Sequence, residues 1–148
     1  MKTGKSVVVF LVEGYRYGMP LEMVERVAPV VEVTPVPDTP DSVMGIINVR
    51  GKVLPVINVR KKLQMADRQL KLSDQLLICH VGERTLAVLV DAIEGALEYD
   101  DEQVTKSEGD GQDVLKTEEG VVYIYDYERL LNSQDQKVLN KAIEKVTA

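Results

Sequence analysis

Short β-branched runs recur in this chain at an offset of about 68 residues, and this internal repeat restricts the available folds more than any other feature of the sequence. Val7–Val12, Gly14 and Tyr15–Leu21 align with Leu76–Val81, Gly82 and Glu83–Leu89. Val56-Ile57-Asn58-Val59-Arg60-Lys61-Lys62-Leu63 aligns with Ile124-Tyr125-Asp126-Tyr127-Glu128-Arg129-Leu130-Leu131. In both copies a strand ends at Asn58 or Asp126, residue types whose side-chain oxygens accept the orphan N–H groups of a helix start. Glu13-Gly14, Arg50-Gly51 and Gly82-Glu83 supply turns between the runs. Short strands at this spacing indicate an all-β barrel or sandwich and not βαβ units. The repeat predicts two similar lobes, residues 1–70 and 71–131, related by a pseudo-twofold with a groove between them.

The tail has a different period. Ser133-Gln134-Asp135-Gln136 has the form of a capping box. Val138, Leu139, Ala142, Ile143 and Val146 then follow at helical spacing. The spacing predicts an amphipathic helix over 133–147 that packs on a lobe.

At 148 residues the chain is long enough to bury a core without staples. Cys79 is the single cysteine, so no internal disulfide forms and a reducing, cytoplasmic setting is expected. The apolar run Val7–Val12 is too short for a signal peptide or a membrane span, so neither export nor membrane insertion is expected. A net charge of −6 and the lack of tryptophan argue against nucleic acid as a partner. Charge is nonetheless segregated. Arg50–Lys71 holds seven basic residues against Asp67, and Glu94–Glu119 holds ten acidic residues against Lys106 and Lys116. Blocks of this kind are solvated faces, or docking faces with complementary fields.

No catalytic constellation is present. Cys79 and His80 are strand neighbours and point to opposite faces, so they cannot serve one site. Zinc needs several Cys or His ligands, and the acidic residues around Asp100–Asp113 lack calcium-loop spacing. Gly109-Asp110-Gly111 is a turn without the strand and helix of a nucleotide fingerprint. No enzyme activity, metal or cofactor is expected. Two features are costly for a chain with no partners: the polar Asn48-Val49-Arg50-Gly51 inside an apolar hairpin, and the stiff segment Pro29–Pro40. Arg50 must find acceptors, and Glu22, Glu25 or nearby carbonyls are the candidates.

Gly45-Ile46-Ile47-Asn48-Val49-Arg50-Gly51, then Val53-Leu54-Pro55-Val56-Ile57-Asn58-Val59-Arg60, resembles the CheW family of chemotaxis coupling proteins. Tyr17-Gly18-Met19-Pro20, the hairpin ending at Val90-Asp91, and Leu130-Leu131 extend the resemblance over nearly the whole chain. It implies a single CheW-like domain, 1–148, built as two SH3-like five-stranded β barrels with short helices. It also implies a non-catalytic adaptor with two partners, a CheA-type histidine kinase and the cytoplasmic tip of chemoreceptors. By position, receptor contacts are expected at Val24, Arg26, Val27, Gly45, Asn48, Arg50 and Leu76, and kinase contacts at Ile46 and Val88. Gly51, Pro55 and Asn58 are expected to be structural. Arg26 stands where the family carries Glu, and would face Arg50 unless Glu22 or Glu25 substitutes. The stretch Gln103–Val121 is short, which predicts a missing edge element in the second lobe. A different reading is a small-molecule-binding or other scaffold module that uses the inter-lobe groove.

Overall fold

The computed structural model describes residues 4–108 and 112–147; Gly109-Asp110-Gly111 lies outside the described residues. Strand β1 (Lys5–Val12) and strand β6 (Gln75–Val81) are apolar on both faces because both faces are buried. In β1, Val7 and Val9 point into one lobe, whereas Val8, Phe10 and Val12 point into a core shared by both lobes. In β6, Leu76 and Ile78 fill the other lobe, whereas Leu77, Cys79 and Val81 join the shared core. Two-residue alternation thus divides each strand between a private and a common core.

β1 is followed by β2 (Tyr15–Pro20), β3 (Val24–Pro29), β4 (Val43–Val49), β5 (Lys52–Asn58) and the one-turn α1 (Val59–Lys62). After β6 come β7 (Arg84–Val90), β8 (Ala92–Tyr99), β9 (Val104–Thr105), β10 (Asp113–Thr117), β11 (Gly120–Ile124) and α2 (Ser133–Thr147). A six-stranded sheet runs β8-β1-β2-β11-β10-β9 and a five-stranded sheet runs β3-β6-β7-β5-β4; these are lobes A and B. The sheets do not divide the chain at residue 70. Hairpin β1–β2 belongs to the first repeat but pairs with strands of the second, and hairpin β6–β7 does the reverse. Each exchange is sealed by a parallel pair, Ile124 opposite Gly18 in lobe A and Val56 opposite Ala87 in lobe B.

The pseudo-symmetry extends to irregularities. Register slips at Glu94 in the β1–β8 pair and at Glu25 in the β3–β6 pair, a bulge at the same place in each lobe, and lobe B slips again at Met44 in the β4–β5 pair. Asn58 Oδ1 accepts the Arg60 N–H and Asp126 Oδ1 accepts the Glu128 N–H, so both caps form. The two hairpin glycines are not equivalent. Glu13 and Gly14 both take positive φ, whereas only Gly82 does in the second turn. The turn types differ, which moves the glycine from the second to the first turn position.

Two expectations change. β9 pairs with β10, so the short Gln103–Val121 stretch still supplies an edge strand. The cap of α2 is Asn132, one residue before the expected serine. Its Oδ1 accepts the Asp135 N–H at 2.7 Å, and Asp135 Oδ2 accepts the Asn132 N–H at 3.3 Å. From there α2 drops Leu139 into the shared core and lays Ala142 on Val36 and Ile46 of lobe B. Burying one such leucine contributes about 1.5–3 kcal/mol.

Candidate partner-binding surfaces

The Asn48–Gly51 segment forms the β4–β5 turn. Arg50 and Gly51 have φ of 53° and 84°, the double left-handed pattern of a tight hairpin. Asn48 Oδ1 accepts the Gly51 N–H at 3.0 Å and locks the turn. Arg50 is exposed, with no side-chain partner among the described residues, so the expected pairing with Glu22 or Glu25 is not made. The turn holds its own geometry through Asn48 and leaves the guanidinium to solvent. Glu25 instead lies 3.9 Å from His80.

Gly45 has a packing reason. Thr34 and Ile46 exchange two backbone hydrogen bonds of 2.9 Å, which ties the Pro29–Pro40 segment to β4. A Cβ on Gly45 would stand 2.2 Å from the Thr34 carbonyl oxygen, and the backbone there has φ of 156°. Pro55 is buried, and Asn58 is the cap already described.

Four expected contact residues are not on the surface, buried Gly45 among them. Ile46 (7% exposed) lies under α2, Val88 (0%) lies in the shared core, and Leu76 (1%) lies in the core of lobe B. Strand alternation assigns each to a face, but the sequence does not reveal that a further layer covers both faces here. Val24 packs against the shared core, Arg26 is half-buried, and Val27 is 42% exposed. All three lie on β3, an edge of lobe B, whereas Arg50 lies at the β4–β5 end, the other side of that sheet.

Beside β3 lies an apolar surface that the sequence reading missed. Val30, Val31, Val33, Pro35, Met44, Leu70 and Leu72 line a depression of about 480 Å³. A second, of about 380 Å³, runs along Val27, Ala28 and Pro29 and shares Leu72. Leu72 is 95% exposed, an unusual state for a leucine. Its connector is anchored by Arg68, which donates to both oxygens of buried Asp74 at 2.6 and 3.0 Å and to Asp91 Oδ1 at 2.6 Å.

Asp91 is the hub of this network. It accepts from Arg60 Nη2 at 2.7 Å, from Arg68 and from the Glu13 N–H at 2.9 Å. Arg60 also pairs with Glu13. Burial opposes the charge on Asp91 and on Asp74. In each case hydrogen bonds to the carboxylate outweigh burial and hold the pKa below the usual value: from Glu13, Arg60 and Arg68 to Asp91, and from Arg68 and the Lys71 N–H to Asp74. The Asp74 bonds raise the Arg68 pKa. Arg60 and Asp91 both stand in motif positions, which was the available signal.

Burial pushes the Cys79 thiol up to about 12, and His80 on the opposite face meets Thr85 Oγ1 at 3.0 Å. Among the described residues no group of His, Cys, Asp or Glu could hold a metal ion, and no helix is long and apolar enough to cross a membrane.

Residues 6–135 match the CheW-like domain. The chain is 23% identical over 146 residues to the chemotaxis protein CheW of Klebsiella aerogenes, covering 93% of this chain and 87% of that one. It is 24% identical over 145 residues to CheW of Bacillus subtilis, covering 93% of each. The crystal structure of the scaffolding protein TtCheW from Thermoanaerobacter tengcongensis superposes with a TM-score of 0.79 at 25% identity, over 91% of this chain and 96% of that one. With two intertwined β lobes, the Gly45–Gly51 motif and a match across residues 6–135, the chain belongs to the CheW family.

Proposed function

We propose that this chain is a non-catalytic adaptor that couples chemoreceptors to a CheA-type histidine kinase in chemotaxis signalling. It acts in the cytoplasm, held at receptor arrays by its partners. The observation that carries this reading is the solvent-facing apolar surface of Val27, Val31, Leu70 and Leu72 along the β3 side of lobe B. Water-exposed apolar area of this kind is a docking liability unless a partner covers it. Its shape suits the apolar stripe of a helix laid into a groove, as a receptor tip would present. Arg50 and Asn48 at the β4–β5 turn provide a polar contact at the far side of the same lobe.

The small-molecule reading is less well supported. The space between the lobes is occupied by the core of Phe10, Tyr17, Leu77, Leu86 and Val88, not by a groove.

Co-sedimentation with receptor-containing vesicles and a purified CheA-type kinase tests the proposal. The adaptor is expected to raise the amount of kinase that pellets, and Leu72→Asp to remove that gain. Equal kinase recovery with and without this chain overturns the reading.

A further inference from the structure

Between α2 and lobe B the contact is not wholly apolar. A cleft of about 580 Å³ opens there, with Lys52 of β5, Arg84 and Thr85 of β7, and Gln136 and Asn140 of α2 around it. Arg84 donates to Asn140 Oδ1, an amide oxygen. Its Nε–H is buried and has no acceptor. Arg16, Arg60 and Arg68 each meet a carboxylate at 2.6–2.9 Å. Among the described residues Arg84 meets none. Burial lowers its pKa, yet a guanidinium stays charged in a protein. The Glu83 carboxylate also lines the cleft, but it is exposed and forms no ion pair with Arg84 or Lys52.

We propose that this cleft binds an oxyanion, a carboxylate or phosphate group, held by Arg84 and Lys52 and by the side-chain amides of Gln136 and Asn140. A partly desolvated cation without its counter-charge is costly, and an anion supplied from outside offsets that cost. Charge-assisted bonds from guanidinium to oxyanion are among the stronger polar contacts. The ligand would touch β5, β7 and α2 together, so its binding holds α2 against lobe B. Occupancy then becomes a control on how firmly the tail helix covers Ile46.

The test is a ¹H–¹⁵N titration of the full chain with sodium phosphate, and separately with sodium succinate, at ionic strength held constant with chloride. The Arg84 Nε–H signal is expected to shift and saturate, and hydrogen exchange at Leu139 and Ala142 to slow. The anion that saturates at lower concentration identifies the group bound. Arg84→Gln is expected to abolish both responses and Lys52→Gln to weaken the affinity. A linear drift without saturation for both anions, or an unchanged response in Arg84→Gln, overturns the proposal. Should Arg84→Gln loosen α2, Lys52→Gln decides, and affinity equal to the wild type overturns it.

Discussion

Asp91 accepts two hydrogen bonds from a single nitrogen of Arg60, at 2.7 and 2.9 Å. Arg60 lies two residues after the Asn58 cap that ends β5 in the first repeat, and Asp91 immediately follows β7 in the second. The pair therefore pins together segments that the sequence places in different repeats. Asp91→Asn keeps the shape but removes the charge facing Arg60 and Arg68, and should destabilise by about 1–3 kcal/mol. Chemical denaturation at neutral pH measures this.

The same carboxylates set an acid limit. Asp91 and Asp74 have folded pKa values below their unfolded ones. Their contribution is fully present above the unfolded carboxylate value of about 3.9 and is lost as pH falls through the lower folded values. Stability should fall below about pH 4 in the wild type, and less steeply in Asp91→Asn. Thermal melts from pH 6 to pH 2 check the difference in slope.

Gly45→Ala should be among the most damaging small changes in the chain. The added methyl meets the Thr34 carbonyl at 2.2 Å, and that contact is backbone against backbone. Either the Thr34–Ile46 bridge opens or β4 shifts, at a cost of roughly 2 kcal/mol or more. A small loss in denaturation midpoint would show that the segment yields freely.

How much of this was legible in sequence depends on which force set each feature. The repeat, the caps at Asn58 and Asp126, and the strand-rich fold are local, and β-branched runs with glycine turns record them directly. The hairpin exchange is not local. It rests on the parallel pairs of Ile124 with Gly18 and Val56 with Ala87, and no residue pattern distinguishes pairing within a repeat from pairing across it. Ile46 and Val88, expected as kinase contacts from the family resemblance, are covered by α2 and the shared core. Leu70 and Leu72 carried the opposite signal, two leucines flanking Lys71 in a polar connector, too short to register as an element.

Cys79 offers a probe of the shared core. Its thiol is buried and its pKa is pushed up to about 12, so at pH 8 little thiolate exists and none is accessible. Modification by a disulfide reagent should be slow in native buffer and fast in denaturant. Its native rate should track opening of the core, and Asp91→Asn should accelerate it. Rapid native labelling would mean that the lobes separate readily.

Arg50 and Leu72 separate stability from recognition. The Arg50 side chain makes no hydrogen bond or ion pair among the described residues, and Leu72 is 95% exposed. Substitution at either should change folding stability by no more than about 0.5 kcal/mol. Leu72→Asp should nevertheless abolish receptor association at any salt concentration, because burying a carboxylate in an apolar contact is unfavourable whatever the screening. Arg50→Ala should weaken association in a salt-dependent way, since an exposed charge acts mainly through long-range attraction that falls beyond a Debye length of about 10 Å at 0.1 M salt. The basic and acidic blocks give a built-in comparison. Arg60, Arg68, Lys61 and Lys62 already face carboxylates of this chain, so reversing Lys61 and Lys62 should alter association less than Arg50→Ala. Binding measured from 50 to 500 mM salt for each variant decides it. A Leu72→Asp protein that binds as the wild type does would remove the β3 surface from the receptor interface.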